Sequence, residues 1–237
     1  MDNKIINFFE ESILASNSDK TKSDDYNAYI KTHSKINLEN VNAEANIPNR
    51  YRDVKFSDFQ LNEELKDFAT APNNDGICLM SGTVGRGKTT ALCCAIHERC
   101  FAGLSTGYYF SDILLSVTLR SLRNFNSKES EFDFYKKLGS TPFLCLDEVG
   151  SSKNREEEVE FIRTILMLRY DNEVPTMIST NMNGTDFKKF MLNISEDITL
   201  EELNVKAKQD PVLDRMFSLV TSINMIGNSS FRVFQKN

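Results

Sequence analysis

Nine residues, Gly82-Thr83-Val84-Gly85-Arg86-Gly87-Lys88-Thr89-Thr90, constrain this chain more than any others, because they spell G-x-x-x-x-G-K-[ST] between a strand and a helix. The apolar run Ile77 to Met80 before them reads as a buried strand. Thr89 to Cys100 after them reads as a helix with Leu92, Ala95 and Ile96 on one side. Glycines in such a loop let backbone N–H groups turn inward around phosphate oxygens, and the helix start adds its positive dipole end. The loop from Gly82 to Thr90 is therefore the expected ATP cradle, with Lys88 bridging the β- and γ-phosphates and the Thr89 hydroxyl on Mg2+. A chain built around this unit needs a parallel sheet with helices on both faces.

Two further strands agree with that frame. Phe143-Leu144-Cys145-Leu146 is a continuous apolar run that stops at Asp147-Glu148, as a central parallel strand delivers acids at its C-terminal end. Asp147 is expected in the Mg2+ shell, and Glu148 is expected to orient and deprotonate the attacking water. Thr176-Met177-Ile178-Ser179 forms another strand ending in Thr180-Asn181, where Asn181 can reach the γ-phosphate or the water. Ordinary turn chemistry is the alternative for an Asn at a strand end.

The remaining elements alternate strand and helix. Gly107 to Phe110 reads as a strand, Ile113 to Leu122 as a helix, Asn124 to Glu131 as a polar loop and Phe132 to Leu138 as a helix. Glu156 to Tyr170 presents Val159, Ile162 and Leu166 on one helical face. A helix around Leu213 to Met216 and a strand near Ile223 to Ile226 close the pattern. The 237 residues suffice for one domain, expected over 46–237, plus an appendage over 1–45. That appendage combines a short amphipathic helix, with Ile5, Phe9 and Ile13 at four-residue spacing, and a polar linker from Ser16 to Ala45. The helix needs a surface to pack on, its own domain or a partner's groove.

Composition excludes little but bounds the setting. The net charge of −6 gives no bulk attraction to nucleic acid or anionic membrane, so any DNA contact must come from a local basic patch. No secretory or membrane-spanning stretch is visible, and Cys78, Cys93, Cys94, Cys100 and Cys145 read as core residues of a cytoplasmic protein. Cys93, His97 and Cys100 share helical spacing, but no second cluster completes a tetrahedral metal set.

From Ile47 to Arg232 the chain resembles the DnaC/IstB-like branch of AAA+ ATPases, the replicative helicase loaders and their transposition relatives. The matching residues are Ile47-Pro48-Asn49-Arg50-Tyr51, Gly82 to Thr90, Leu146 to Gly150, Arg169-Tyr170, Pro175 to Asn181, Asp214-Arg215-Met216 and Ser229-Ser230-Phe231-Arg232. The resemblance implies an AAA+ P-loop fold with a small helical N-terminal extension and a minimal or absent C-terminal lid. It also implies that Arg215 is an arginine finger reaching a neighbouring subunit's ATP, and Arg232 a second phosphate-sensing arginine. Lys153 and Arg155 lie where loaders line a pore that touches single-stranded DNA, and Arg120 and Arg123 form a second candidate patch; the alternative for each pair is a solvated face. The expected partners are a hexameric helicase, bound through the N-terminal region, single-stranded DNA and further copies of the chain. Three function classes follow: an ATP-dependent helicase loader, a transposition helper of the IstB kind, and a nucleotide-gated adaptor with little turnover.

Overall fold

Among the described residues, five short strands, all parallel, place the expected phosphate loop and the expected acids at one end of a single sheet. They are β1 (Ile77–Ser81), β2 (Tyr108–Ser111), β3 (Leu144–Val149), β4 (Thr176–Thr180) and β5 (Val220–Asn224), in the order β2-β3-β4-β1-β5. The computed structural model describes residues 39–54, 63–124, 127 and 129–225. The chain divides between Asn40 and Val41, and the second unit holds the whole sheet. Val41 and Ala45 are buried in its core, so the packed unit begins ahead of the boundary expected at Asn46. The expected N-terminal helix, the turn around Phe56 and Phe59, and the Ser229–Arg232 element lie outside the described residues.

Strand alternation sorts the core into two faces. Ile77 and Leu79 of β1, Leu144 and Leu146 of β3 and Ile178 of β4 join one cluster, which includes Phe110, Phe134 and Phe161. Cys78, Met80, Cys145 and Met177 point the other way, onto the helix α2 (Lys88–Phe101), with α1 (Glu63–Thr70) before it in the chain. Small side chains at Ala91, Cys93, Cys94 and Ala95, all fully buried, let α2 lie close to the sheet. Cys78, Cys93, Cys94 and Cys145 are thus core residues, Cys100 is half-buried, and burial pushes the Cys78 thiol up to about 12. His97 spends both ring nitrogens inside α2's packing, near Asn42 Oδ1 at 2.7 Å and Val54 O at 3.1 Å.

On the first face lie α3 (Leu115–Leu122), α4 (Glu131–Ser140) and α5 (Arg155–Asp171). Ser130 and Asp133 form a capping box that starts α4. Arg169, near the end of α5, is 1% exposed and donates to Leu138 O (2.6 Å), Thr141 O (2.8 Å), Thr176 Oγ1 (2.7 Å) and Pro175 O (2.5 Å). Burial lowers its pKa to about 9, and four neutral oxygens stand in for a carboxylate.

Two helices follow β4 that the sequence pattern did not suggest, α6 (Gly184–Met191) and α7 (Leu200–Gln209). Asn183 caps α6 by accepting from Asp186 N at 2.9 Å, and Thr199 with Glu202 makes a capping box for α7. Asp210 caps α8 (Pro211–Ser218) and is gripped by Arg163 at 2.8 Å, tying α8 to α5. The last strand begins at Val220, earlier than the expected Ile223, and the described residues end one residue after it. Among the described residues, no helix is long and apolar enough to cross a membrane.

A candidate nucleotide site

The loop between β1 and α2 has the backbone that its glycines permit. Gly82, Gly85 and Gly87 take φ of 152°, 84° and 83°, and a Cβ on Gly82 would stand 2.7 Å from the Met225 carbonyl oxygen. Lys88, the first residue of α2, is 7% exposed. Its Nζ donates to Gly82 O (2.6 Å), Thr83 O (3.0 Å) and Asn181 Oδ1 (2.8 Å). Burial lowers the Lys88 pKa, against the opposing pull of Asp147 and Glu148. The cleft is lined by Val84 to Thr90, Asp147, Glu148, Asn181 and, from the 3-10 turn Asn49–Tyr51, Arg50 and Tyr51. The phosphate loop, the acid pair and the strand-end Asn therefore meet in one place.

Asp147 is 1% exposed and held on both sides. Tyr109 of β2 donates its hydroxyl to Oδ2 at 2.7 Å, and Ser179 of β4 donates to Oδ1. The same Ser179 oxygen accepts from Glu148 N at 3.0 Å, so one hydroxyl positions both acids. Burial, followed by the charge of Asp147, pushes the Tyr109 hydroxyl far above the ordinary phenol range, so it stays a donor. Glu148 takes φ of 61°, where β3 bulges between Leu146 and Val149. Neither Tyr109 nor Ser179 was singled out from sequence; each sits one strand over from the acids, a relation that only the sheet register reveals.

The fold has many solved counterparts. The DnaC helicase loader shares it at a TM-score of 0.56 and 18% identity, over 75% of this chain and 99% of that one. DnaI does so at 0.55 and 18%, over 75% and 94%. Replication initiator DnaA bound to AMPPCP and single-stranded DNA matches at 0.54 and 16%, over 78% of this chain and 53% of that chain. This is an AAA+ P-loop fold. No protein-family profile and no curated protein sequence matches the chain.

Within the AAA+ frame the other expected residues scatter. Arg215 lies exposed on α8, 5.8 Å over the Tyr170 ring, and does not line its own chain's cleft. Arg232 is outside the described residues. Lys153 and Arg120 are exposed. Two of the candidate DNA-facing cations have partners within the chain. Arg123, half-exposed, pairs with Glu131 and Glu157, each at 2.8 Å. Arg155 turns inward, donating to Lys189 O (3.2 Å) and Ile194 O (3.1 Å) at and just beyond the end of α6, with its guanidinium 5.6 Å over Phe190.

Proposed function

We propose that this protein is an ATPase that loads a ring helicase onto single-stranded DNA. One observation carries the reading: Lys88, Thr89, Asp147, Glu148 and Asn181 line a single cleft on a fold shared with helicase loaders. The donors available near the nucleotide's phosphates, the Thr89 hydroxyl and the Asp147 carboxylate, are hard oxygens of the kind that suit Mg2+. Thr89 and Asp147 would hold the ion, which when bound with ATP supplies charge neutralisation at the β- and γ-phosphates. Lys88 exchanges its loop carbonyls for phosphate oxygens, Asn181 orients the γ-phosphate or the water, and Glu148 takes the water's proton.

Arg215, exposed away from its own cleft, acts in this reading on a neighbouring copy's ATP, and Arg232 senses phosphate. The helicase binds the N-terminal region, while Lys153 and Arg120 remain available to DNA. An adaptor with little turnover fits less well, since the Ser179 hydroxyl bonds both to Asp147 and to the Glu148 backbone, an investment in catalytic geometry.

The test has two arms. Lys88→Ala should abolish binding of a fluorescent ATP analogue, and Glu148→Gln should retain binding while lowering turnover ~100-fold or more. Capture of the Glu148→Gln protein with ATP should retain a hexameric helicase; a transposase in its place would favour the IstB-like alternative.

A further inference from the structure

Where β3 ends, the backbone folds sharply to present Glu148. Glu148 and Gly150 take φ of 61° and 92°, and Ser151 N closes the turn on Glu148 O at 3.1 Å. A non-glycine residue persists in this region only when its surroundings over-determine it. Three side chains do so. Ser179 accepts from Glu148 N (3.0 Å), Thr180 donates to Val149 O (2.8 Å), and Glu158 of α5 accepts from Gly150 N (2.5 Å). The first two belong to the adjacent strand. The third is a carboxylate that is 1% exposed, although an uncharged acceptor would make the same bond.

Behind Glu158 stands Asp112, also 1% exposed, the first residue of the 3-10 turn Asp112–Leu114. Neither of its carboxyl oxygens accepts from any donor among the described residues, so as an anion it would be orphaned. Its partner is the Glu158 carboxyl, and two buried carboxyls in contact share a proton. Burial, then the hydrogen bond and charge of Glu158, then the charge of Glu148, push Asp112 well above the usual carboxyl range. Glu158 thus meets Asp112 on one side and accepts from Gly150 N on the other. Arg155, Asp186 and Lys189 line the open cleft beside Glu158.

We propose that Asp112 and Glu158 are positioning residues for ATP hydrolysis, a hydrogen-bonded carboxyl pair that fixes the Gly150 N–H and through it the turn that aims Glu148. The proposal rests on the reading of Glu148 as the base that acts on water. It assigns work to a helix and a strand-end turn that touch no nucleotide.

The test uses the full chain with Glu158→Leu, Glu158→Gln, Asp112→Asn and Glu148→Gln, read by kcat, KM for ATP, melting temperature and amide exchange at Gly150. Glu158→Leu removes the acceptor, and kcat should fall ~10-fold or more with KM within about twofold while the Gly150 amide loses protection. Glu158→Gln keeps an acceptor and Asp112→Asn keeps a donor, so both should retain most of kcat. A Glu158→Leu protein that turns over at the wild-type rate while Glu148→Gln is inactive would overturn the positioning role alone. Wild-type turnover in Glu148→Gln would instead remove the base reading, and the proposal with it. Parallel loss of kcat, KM and melting temperature in Glu158→Leu and Glu158→Gln alike would mark the pair as fold support only, and would also overturn it.

Discussion

Tyr109→Phe removes one hydroxyl and almost no volume, which isolates a single hydrogen bond at the acid pair. The lost bond runs 2.7 Å to a carboxylate in a side chain that is 1% exposed. A bond to a charged group contributes about 1.5–3 kcal/mol, and the freed Oδ2 belongs to a nearly buried carboxylate. For a domain of this size that corresponds to a fall in Tm of roughly 3–12 °C. Asp147 keeps Ser179 on Oδ1, so the carboxylate stays in place but can rotate. Loss of such an outer hydrogen bond typically costs 10–100-fold in metal affinity, roughly 1.4–2.7 kcal/mol, which lies within the worth of the bond itself. Mg2+ titration of ATP turnover should therefore show the half-saturating concentration raised by that factor. Nucleotide affinity in the presence of a chelator should not change. Because burial and Asp147 hold the Tyr109 hydroxyl neutral, the effect should be the same from about pH 6 to 9. Unchanged Mg2+ dependence together with unchanged Tm would refute the assignment of Tyr109 as the support of a metal ligand.

Three more outcomes are expected. Arg215→Ala and Lys88→Ala proteins, each inactive, should regain some ATPase activity when mixed, since one supplies an intact cleft and the other the finger; no recovery at concentrations where wild type assembles would count against a composite site. Gly150→Ala should cost about 1 kcal/mol in urea unfolding and lower kcat, because φ is 92° and the new Cβ would meet Met182 Cε at 2.3 Å; adding Met182→Ala should relieve the clash but not the backbone strain. Lys153→Glu should weaken binding to a single-stranded oligonucleotide and flatten its salt dependence, whereas Arg123→Ala should change neither, its charge being matched by Glu131 and Glu157.

The cleft was legible because its residues act through local sequence. A glycine loop between an apolar strand and a helix needs no partner to be read, and neither does an apolar run ending in Asp147-Glu148. What brings Tyr109 and Ser179 to Asp147 is lateral register between strands far apart in sequence, and no local pattern encodes that. The helices α6 and α7 were overlooked for a different reason. Their capping residues, Asn183 with Asp186 and Thr199 with Glu202, stand plainly in the sequence, but α6 is too short for its apolar spacing to repeat and α7 buries only Leu203 and Ala207. The partners of Arg123 and Arg155 were not legible, because a cation's sequence position says nothing about which carboxylate or carbonyl folds against it.

Arg169 ties the end of α4, the end of α5 and the start of β4 to a single buried guanidinium with no counter-ion among the described residues. Were any one of these segments to detach alone, a desolvated cation would be left short of acceptors, an outcome more costly than releasing the whole group to water. Local opening of one segment is thereby suppressed, and the three behave as one cooperative unit although each belongs to a different stretch of chain. The same guanidinium anchors β4 at the end opposite the one where Ser179, Thr180 and Asn181 meet the acids and Lys88.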